Sequence, residues 1–167
     1  MKIFFKYLYK FFLTAYIFES YNNFQKIKKN KLSFLFFKSF KASKTNKAAK
    51  SFFEKNSFKI DRFKKKSKFV CLKLKNEIVC SGWIHQGKNW EIVEINKKIQ
   101  LKQKYLLYDF ETEEKFRNQG YYKLLLQIIQ NKFKKKRLMI YALSNNKRSI
   151  RAIRGSGFML IKELKKY

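Results

Sequence analysis

Between Tyr105 and Phe158 the chain collects the residue types from which a phosphate site and a proton-transfer site can be built. Asp109 and Glu111 alternate with Phe110 on an extended run that begins at Tyr105. That spacing puts both carboxylates on one strand face, where either can take a proton directly or through water. A polar turn follows, Glu113 to Tyr122, holding Arg117, Asn118, Gln119 and Gly120. It opens onto a predicted helix, Tyr121 to Phe133, in which Tyr121, Leu124, Leu125, Ile128 and Ile129 recur at three and four residues and form one apolar face. Lys132 and Lys134 to Lys136 crowd its last turn, where cations suit the dipole. The first N–H groups of such a helix have no internal partner, and Gly120 lets the chain approach a ligand closely, so this end can hold phosphate. Beyond it, Arg137 to Leu143 reads as a strand, Asn146 to Arg154 as a short helix and Gly157 to Ile161 as a last strand.

Arg117-Asn118-Gln119-Gly120-Tyr121-Tyr122 resembles the Arg/Gln-x-x-Gly-x-Gly/Ala pyrophosphate loop of the GNAT superfamily of acyl-CoA-dependent N-acyltransferases. The segment from Asn146 through Ser149 to Gly157-Phe158 resembles that family's Asn-x-x-Ala/Ser helix ending in Gly-Phe. The two motifs are in order, correctly spaced, and cover roughly the C-terminal third of the chain. The resemblance implies an α/β (α+β) fold with a mixed, mostly antiparallel central sheet flanked by helices. It also implies acetyl-CoA as acyl donor and an amine as acceptor. The pantetheine arm would enter between the strand ending near Phe110 to Thr112 and the Arg137 strand, pairing with backbone at Phe110 and Thr112. The diphosphate would lie on N–H groups from Asn118 through Gln119, Gly120 and Tyr121 to Tyr122, with Arg117 ordering the loop or pairing with phosphate and Asn146 nearby.

The implied reaction is direct attack of a neutral amine on a thioester, with both substrates bound side by side. A base must take a proton from the ammonium, and the Phe110 to Thr112 backbone is the natural oxyanion donor. Glu111 and Asp109 are the candidate bases. Tyr141 stands five residues before Asn146, where some members carry a catalytic carboxylate, and is a third catalytic candidate. Two positions depart from the pattern. Tyr122 replaces the usual Gly or Ala, which is compatible with phosphate binding if its ring points away from the diphosphate. Ile153 stands where members often place a tyrosine that protonates the departing thiolate, so that proton must come from elsewhere.

For the acceptor, Trp83 and Trp90 flank the turn from His85 to Asn89 and can form a wall on which a sugar ring stacks, with Glu91 or Glu94 holding an ammonium. The same tryptophans can equally be core, and His85 can equally be a turn residue. An amino sugar, a peptide amine and a small polyamine all fit.

Elements upstream must position these groups. Leu32 to Phe37 reads as a strand, Thr45 to Lys55 and Ser57 to Lys66 as helices, and Phe69 to Leu74 with Glu77 to Ile84 as a β-hairpin turning at Lys75-Asn76. Glu91 to Ile95 reads as a further strand or strand extension. Met1 to Phe18, with Lys2, Lys6 and Lys10 four apart, reads as an amphipathic helix that packs on the domain or lies on an anionic membrane as a peripheral contact. Residues 1–28 are thus expected as a helical extension and 29–167 as the acyltransferase domain. No cleaved signal is expected, and a run so interrupted by lysine is too short to span a bilayer. The family's usual final strand is missing after the Gly157 strand, so an open edge there invites pairing with a second copy, a homodimer.

The 167 residues are a one-domain length, and Cys71 and Cys80 lack the spacing of a metal site and read as buried thiols of a cytoplasmic protein. The formal net charge of +30 suits polyanionic partners, yet lysines spread along the whole chain with Phe, Asn, Ile and Tyr abundant and no Pro, which AT-rich coding also produces. No specific nucleic-acid partner is expected. Two other readings stay open: a basic nucleic-acid-binding protein, and a catalytically degenerate GNAT fold at a membrane surface.

Overall fold

In the computed structural model, which describes residues 13–20 and 32–167, nine strands alternate with short helices. The strands are β1 (Thr14–Ser20), β2 (Leu32–Phe37), β3 (Ser67–Leu74), β4 (Glu77–Gln86), β5 (Asn89–Ile92), β6 (Lys97–Gln100), β7 (Tyr105–Thr112), β8 (Leu138–Leu143) and β9 (Phe158–Lys165). The α-helices are α1 (Phe40–Lys44), α2 (Lys47–Lys55), α3 (Asp61–Lys64), α4 (Tyr121–Lys132) and α5 (Lys147–Gly155), with single 3₁₀ turns at Ser57–Lys59, Val93–Ile95 and Glu114–Phe116. Seven strands form one sheet in the order β2-β3-β4-β7-β8-β1-β9, antiparallel except between β7 and β8, and β5-β6 form a separate hairpin.

Both sheet faces are covered, which explains why its strands are apolar nearly throughout. Leu125, Leu126 and Ile129 of α4 and Ile153 of α5 pack on one face against Val70, Leu72, Ile84, Leu107 and Ile140. On the other face, Ala48, Ala49, Phe52 and Phe53 of α2 pack with Phe69 and Trp83, and the β5-β6 hairpin packs beside Ile17, Leu106 and Met139. Capping places the small helices: Ser39 accepts from the Ala42 N–H at 3.2 Å, and Asn46 accepts from Ala48 and Ala49.

The largest departure from the sequence reading is at the start of the chain. Residues 14–20 are a strand, not the second half of a helix, and Met1 to Phe12 with Lys2, Lys6 and Lys10 lie outside the described residues. Strand β1 runs between β8 and β9, pairing Ile17 with Tyr141 on one side and Ile17 with Lys162 on the other. The final strand expected to be absent or borrowed from a second chain is therefore supplied by this chain's own early residues. Residues 13–20 thus belong to the same sheet as the rest. Ala15 and Ile17 enter one core and Tyr16 and Phe18 the other, so the run is apolar on both faces and has no period that separates it from a helix. Smaller differences follow the same logic. The helix expected over Ser57 to Lys66 is a 3₁₀ turn and one turn of α3, and the strand expected over Glu91 to Ile95 is cut by a 3₁₀ turn into β5 and β6. Strand β9 is an edge carrying exposed Met159, Leu160 and Ile161.

Cys71 and Cys80 are free and buried, and burial pushes both thiols up, Cys80 to about 12. An unfolded thiol ionises near its ordinary value of 9.0 while the folded one stays protonated, so stability is complete below that pH and falls as pH climbs toward the folded value. Urea melts between neutral pH and about pH 11 should lose up to about 1.4 kcal/mol per pH unit per thiol above the ordinary value. A flat alkaline profile would mean that the thiols are reached by water.

Candidate functional site

The parallel pairing of β7 with β8 runs through Tyr105–Leu138, Leu106–Met139 and Leu107–Ile140 and then stops. Beyond that point the two strands diverge, leaving Tyr108 to Thr112 and Tyr141 to Leu143 without each other as backbone partners. The cause lies in β7 itself. Its register against β4 shifts between Ser81–Glu111 and Trp83–Tyr108, and Asp109 has φ +50°, so the strand bulges. Gly82 sits opposite the bulge because the Phe110 ring lies over it: a Cβ there would meet that ring at 2.5 Å.

Two clefts open from the gap. One, of about 800 Å³, is lined by Phe110, Glu111 and Thr112 of β7, the loop residues Arg117, Asn118 and Gly120, and α5 residues that include Arg148 and Arg151. Gly120 caps α4 with φ +78°, a left-handed conformation that explains the glycine, and Asn118 is also left-handed at φ +62°. No side chain among the described residues caps α4, and its first turn carries no acid. Its N–H groups therefore face the cleft ready for an anion. Arg117 donates from Nε to the Thr112 carbonyl at 3.3 Å and Gln119 to the Lys115 carbonyl at 3.3 Å, so both side chains brace the loop. Asn146 caps α5, accepting from the Ser149 N–H at 3.1 Å. Lys123, Arg148 and Arg151 add cations that the sequence reading passed over; the spacing of Arg148 and Arg151 by three residues on α5 was the available signal.

The second cleft, of about 540 Å³, lies on the opposite side of the gap and is lined by Trp90, Tyr108, Asp109, Tyr141, Glu94 and Arg62, among others. The Trp90 ring stands 4.6 Å from Tyr108 and 5.1 Å from His85. Burial pushes the Tyr141 phenol up, opposed by a weaker interaction with the Trp90 indole. That indole N–H is itself buried without a partner of ordinary hydrogen-bond geometry among the described residues.

The candidate residues divide accordingly. Tyr141, Asp109 and Trp90 line the second cleft and Glu111 the first. Asp109 and Glu111 do not stand free as bases: Lys59, only 5% exposed at its side chain, pairs with Glu111 and lies 3.9 Å from Asp109, and Arg62 pairs with Asp109. Neither pairing was legible, because Lys59 and Arg62 are some fifty residues upstream. Trp83 is not a substrate wall. It is 1% exposed, packed among Phe53, Phe63 and Phe69 in the core. His85 also stands outside both clefts, its Nδ1 3.2 Å from the Ser67 hydroxyl, and burial holds its pKa below the usual value.

Tyr122 needs separate description. Its ring does not turn away from the site; it stands in the gap, 5.4 Å from the Phe110 ring, and lines both clefts. Burial pushes its phenol well up, and a hydrogen bond with the Ser149 side chain opposes this.

No family model matches the chain, and no curated protein matches it in sequence. Solved structures do match its fold. A GNAT-family acetyltransferase from Colwellia psychrerythraea superposes with TM-score 0.56 and 12% identity over 90% of this chain and 53% of its own. A putative GNAT-family acetyltransferase from Novosphingobium aromaticivorans gives TM-score 0.56 and 8% identity over 92% of this chain and 62% of its own. The chain thus spans between half and two thirds of the length of these two proteins. An aminoglycoside acetyltransferase from an uncultured soil metagenomic sample, solved with sisomicin, gives TM-score 0.50 and 14% identity over 76% of this chain and 88% of its own. The bulged β7, the strand that diverges from it and the helix start between them accordingly belong to a chain with the fold of the GNAT acetyltransferases.

Proposed function

We propose that the protein is an N-acetyltransferase that moves an acetyl group from acetyl-CoA to a primary amine, with both substrates bound at once. The observation that carries this reading is the divergence of β7 from β8 beyond Leu107 and Ile140, with the uncapped start of α4 at the mouth of the gap. The residues there suit acetyl-CoA. Free backbone at Phe110 and Thr112 matches an amide-bearing arm, and the first N–H groups of α4 with Arg117, Lys123, Arg148 and Arg151 match its phosphates. Once bound, the donor supplies an acyl thioester that a neutral amine can attack without a covalent enzyme intermediate.

Glu94 faces the second cleft, is in no ion pair among the described residues, and is placed to receive the acceptor's ammonium and take its proton through water. Asp109 and Glu111, tied to Lys59 and Arg62, then fix the bulge whose backbone at Phe110 faces the carbonyl oxygen as negative charge develops. The C–N bond forms, the C–S bond breaks, and the sulfur takes up a proton. Tyr122, protonated at neutral pH and standing between the two clefts, donates that proton in place of the tyrosine missing at Ile153. The aromatic lining of Trp90, Tyr108 and Tyr141 suits the face of an amino sugar, in keeping with the aminoglycoside acetyltransferase among the structures that share the fold.

Calorimetric titration with acetyl-CoA at two salt concentrations, with ATP as polyanion control, tests the reading. Saturable binding that survives salt, exceeds that of ATP and falls about 100-fold in Gly120→Asp is expected, since the aspartate sets a charge against the diphosphate and strains a left-handed position. Binding that ATP matches and salt abolishes would sink it.

A further inference from the structure

A further concavity stands apart from this site. It lies at the other end of β7, where Tyr105 is five to seven residues from the Phe110–Thr112 edge, hence roughly 20 Å away along the strand. Its volume is about 900 Å³, and seven of its eleven lining residues are lysine or arginine with none acidic. The loops that meet there come from four places in the chain: Lys66 before β3, Lys88 after β4, Lys102 before β7, and Lys135 and Lys136 after α4. Two further lining cations, Lys104 and Arg137, are already engaged by the buried Glu19. Among the described residues, Lys66, Lys88, Lys102 and Lys135 have no acidic partner.

A chain of net charge +30 must show lysines somewhere, so the comparison with the two clefts already described decides whether this one is special. The acceptor-side cleft sets Arg62 and Lys65 against Glu94 and Asp109, and the cleft at α4 has four cations and Glu111. Here seven cations converge with no carboxylate in the lining, and five of them remain once Glu19, behind the wall, has engaged Lys104 and Arg137. On a convex surface water solvates each ammonium separately, but a concave wall focuses their field and raises the cost of keeping them together without an anion. Six of the seven cations are lysines, point charges on flexible stems, and the one guanidinium, Arg137, is held by Glu19, so no helix start and no fork is arranged around one phosphate. Such a wall recognises charge spaced along a chain.

We infer that this cleft is a second binding site, for a linear chain of phosphates, either the phosphodiester backbone of single-stranded nucleic acid or inorganic polyphosphate. It is independent of acetyl-CoA binding. A short fluorescein-labelled oligothymidylate, read by anisotropy over a salt series, is the probe, with inorganic polyphosphate as competitor. Lys88→Glu, Lys135→Glu and Lys136→Glu together should weaken the oligothymidylate at least about tenfold and reduce the slope of log affinity on log salt by about 2. Lys50→Glu, Lys97→Glu and Lys98→Glu, an equal change of net charge on exposed residues elsewhere, should leave it within about twofold. Polyphosphate that displaces the probe more strongly, phosphate for phosphate, names polyphosphate as the ligand; weaker displacement names nucleic acid. Equal weakening in both triple variants, or no binding by the unaltered protein, would overturn the site. Single Lys88→Glu and Lys135→Glu variants guard against misfolding of the triple. Acetyl-CoA affinity unchanged in the cleft variants separates this result from the fate of the transferase reading.

Discussion

Replacing Tyr122 by phenylalanine is expected to lower kcat for acetyl transfer by about 10²- to 10³-fold while acetyl-CoA affinity stays within about twofold. The substitution keeps the ring that packs 5.4 Å from Phe110 and lines both clefts, and removes only the phenol that reaches Ser149. If the ring matters merely as a wall, phenylalanine supplies the same wall and kcat does not move; that outcome would end the assignment of a proton donor. The direction of the pKa shift adds a second readout. Burial raises the phenol, so Tyr122 stays protonated throughout neutral pH and contributes no ionisation to the rate profile there. The acid limb of kcat/KM should belong to the base and survive in the phenylalanine variant at the same pH, with only its height reduced. Alanine at this position gives a different result, because it joins the two clefts and disturbs binding as well as turnover. A loss in kcat alone for phenylalanine, and in both constants for alanine, distinguishes a donor from a wall.

How far the sequence could lead depends on whether a feature is local. The turn from Arg117 to Gly120 and the start of α4 were legible because a left-handed glycine, a polar loop and an apolar helical period all lie within a few residues of each other. The β3-β4 hairpin and α5 were legible for the same reason. What escaped depended on distant partners. Asp109 and Glu111 looked like free carboxylates on one strand face, and only folding brings Lys59 and Arg62 onto them. Trp83 and Trp90 are seven residues apart, and their spacing left an aromatic wall and a core position equally open for both. The β4-β5 turn instead sends Trp83 into the core and leaves Trp90 at the cleft. The run from Thr14 to Ser20 carries no strand signal because a strand buried on both faces shows no alternation, and its partners, β8 and β9, lie more than a hundred residues later.

That same strand predicts the largest stability effect: Glu19→Ala should destabilise the protein by about 3 kcal/mol in urea unfolding. Glu19 is 3% exposed at its side chain, and its two oxygens are taken by Lys104, 11% exposed, and by Arg137 at 3.1 Å. Removing it leaves Arg137 little affected, because that side chain is mostly in water. Lys104 is different, since its ammonium would remain out of water without a counter-charge, and the largest penalty for a broken buried pair comes from the partner left behind. The pair also ties β1 to the loop before β7 and so helps hold β8, which β1 flanks, at the position from which it diverges from β7. Glu163→Ala on exposed β9 should change stability by less than about 0.5 kcal/mol and serves as the control for lost charge. If the penalty is the stranded ammonium, Glu19→Leu combined with Lys104→Met removes both charges and should recover most of the loss, whereas two independent contributions would add. A double variant less stable than Glu19→Ala would mean that the ion pair itself, and not the avoidance of a lone buried charge, holds β1 in the sheet.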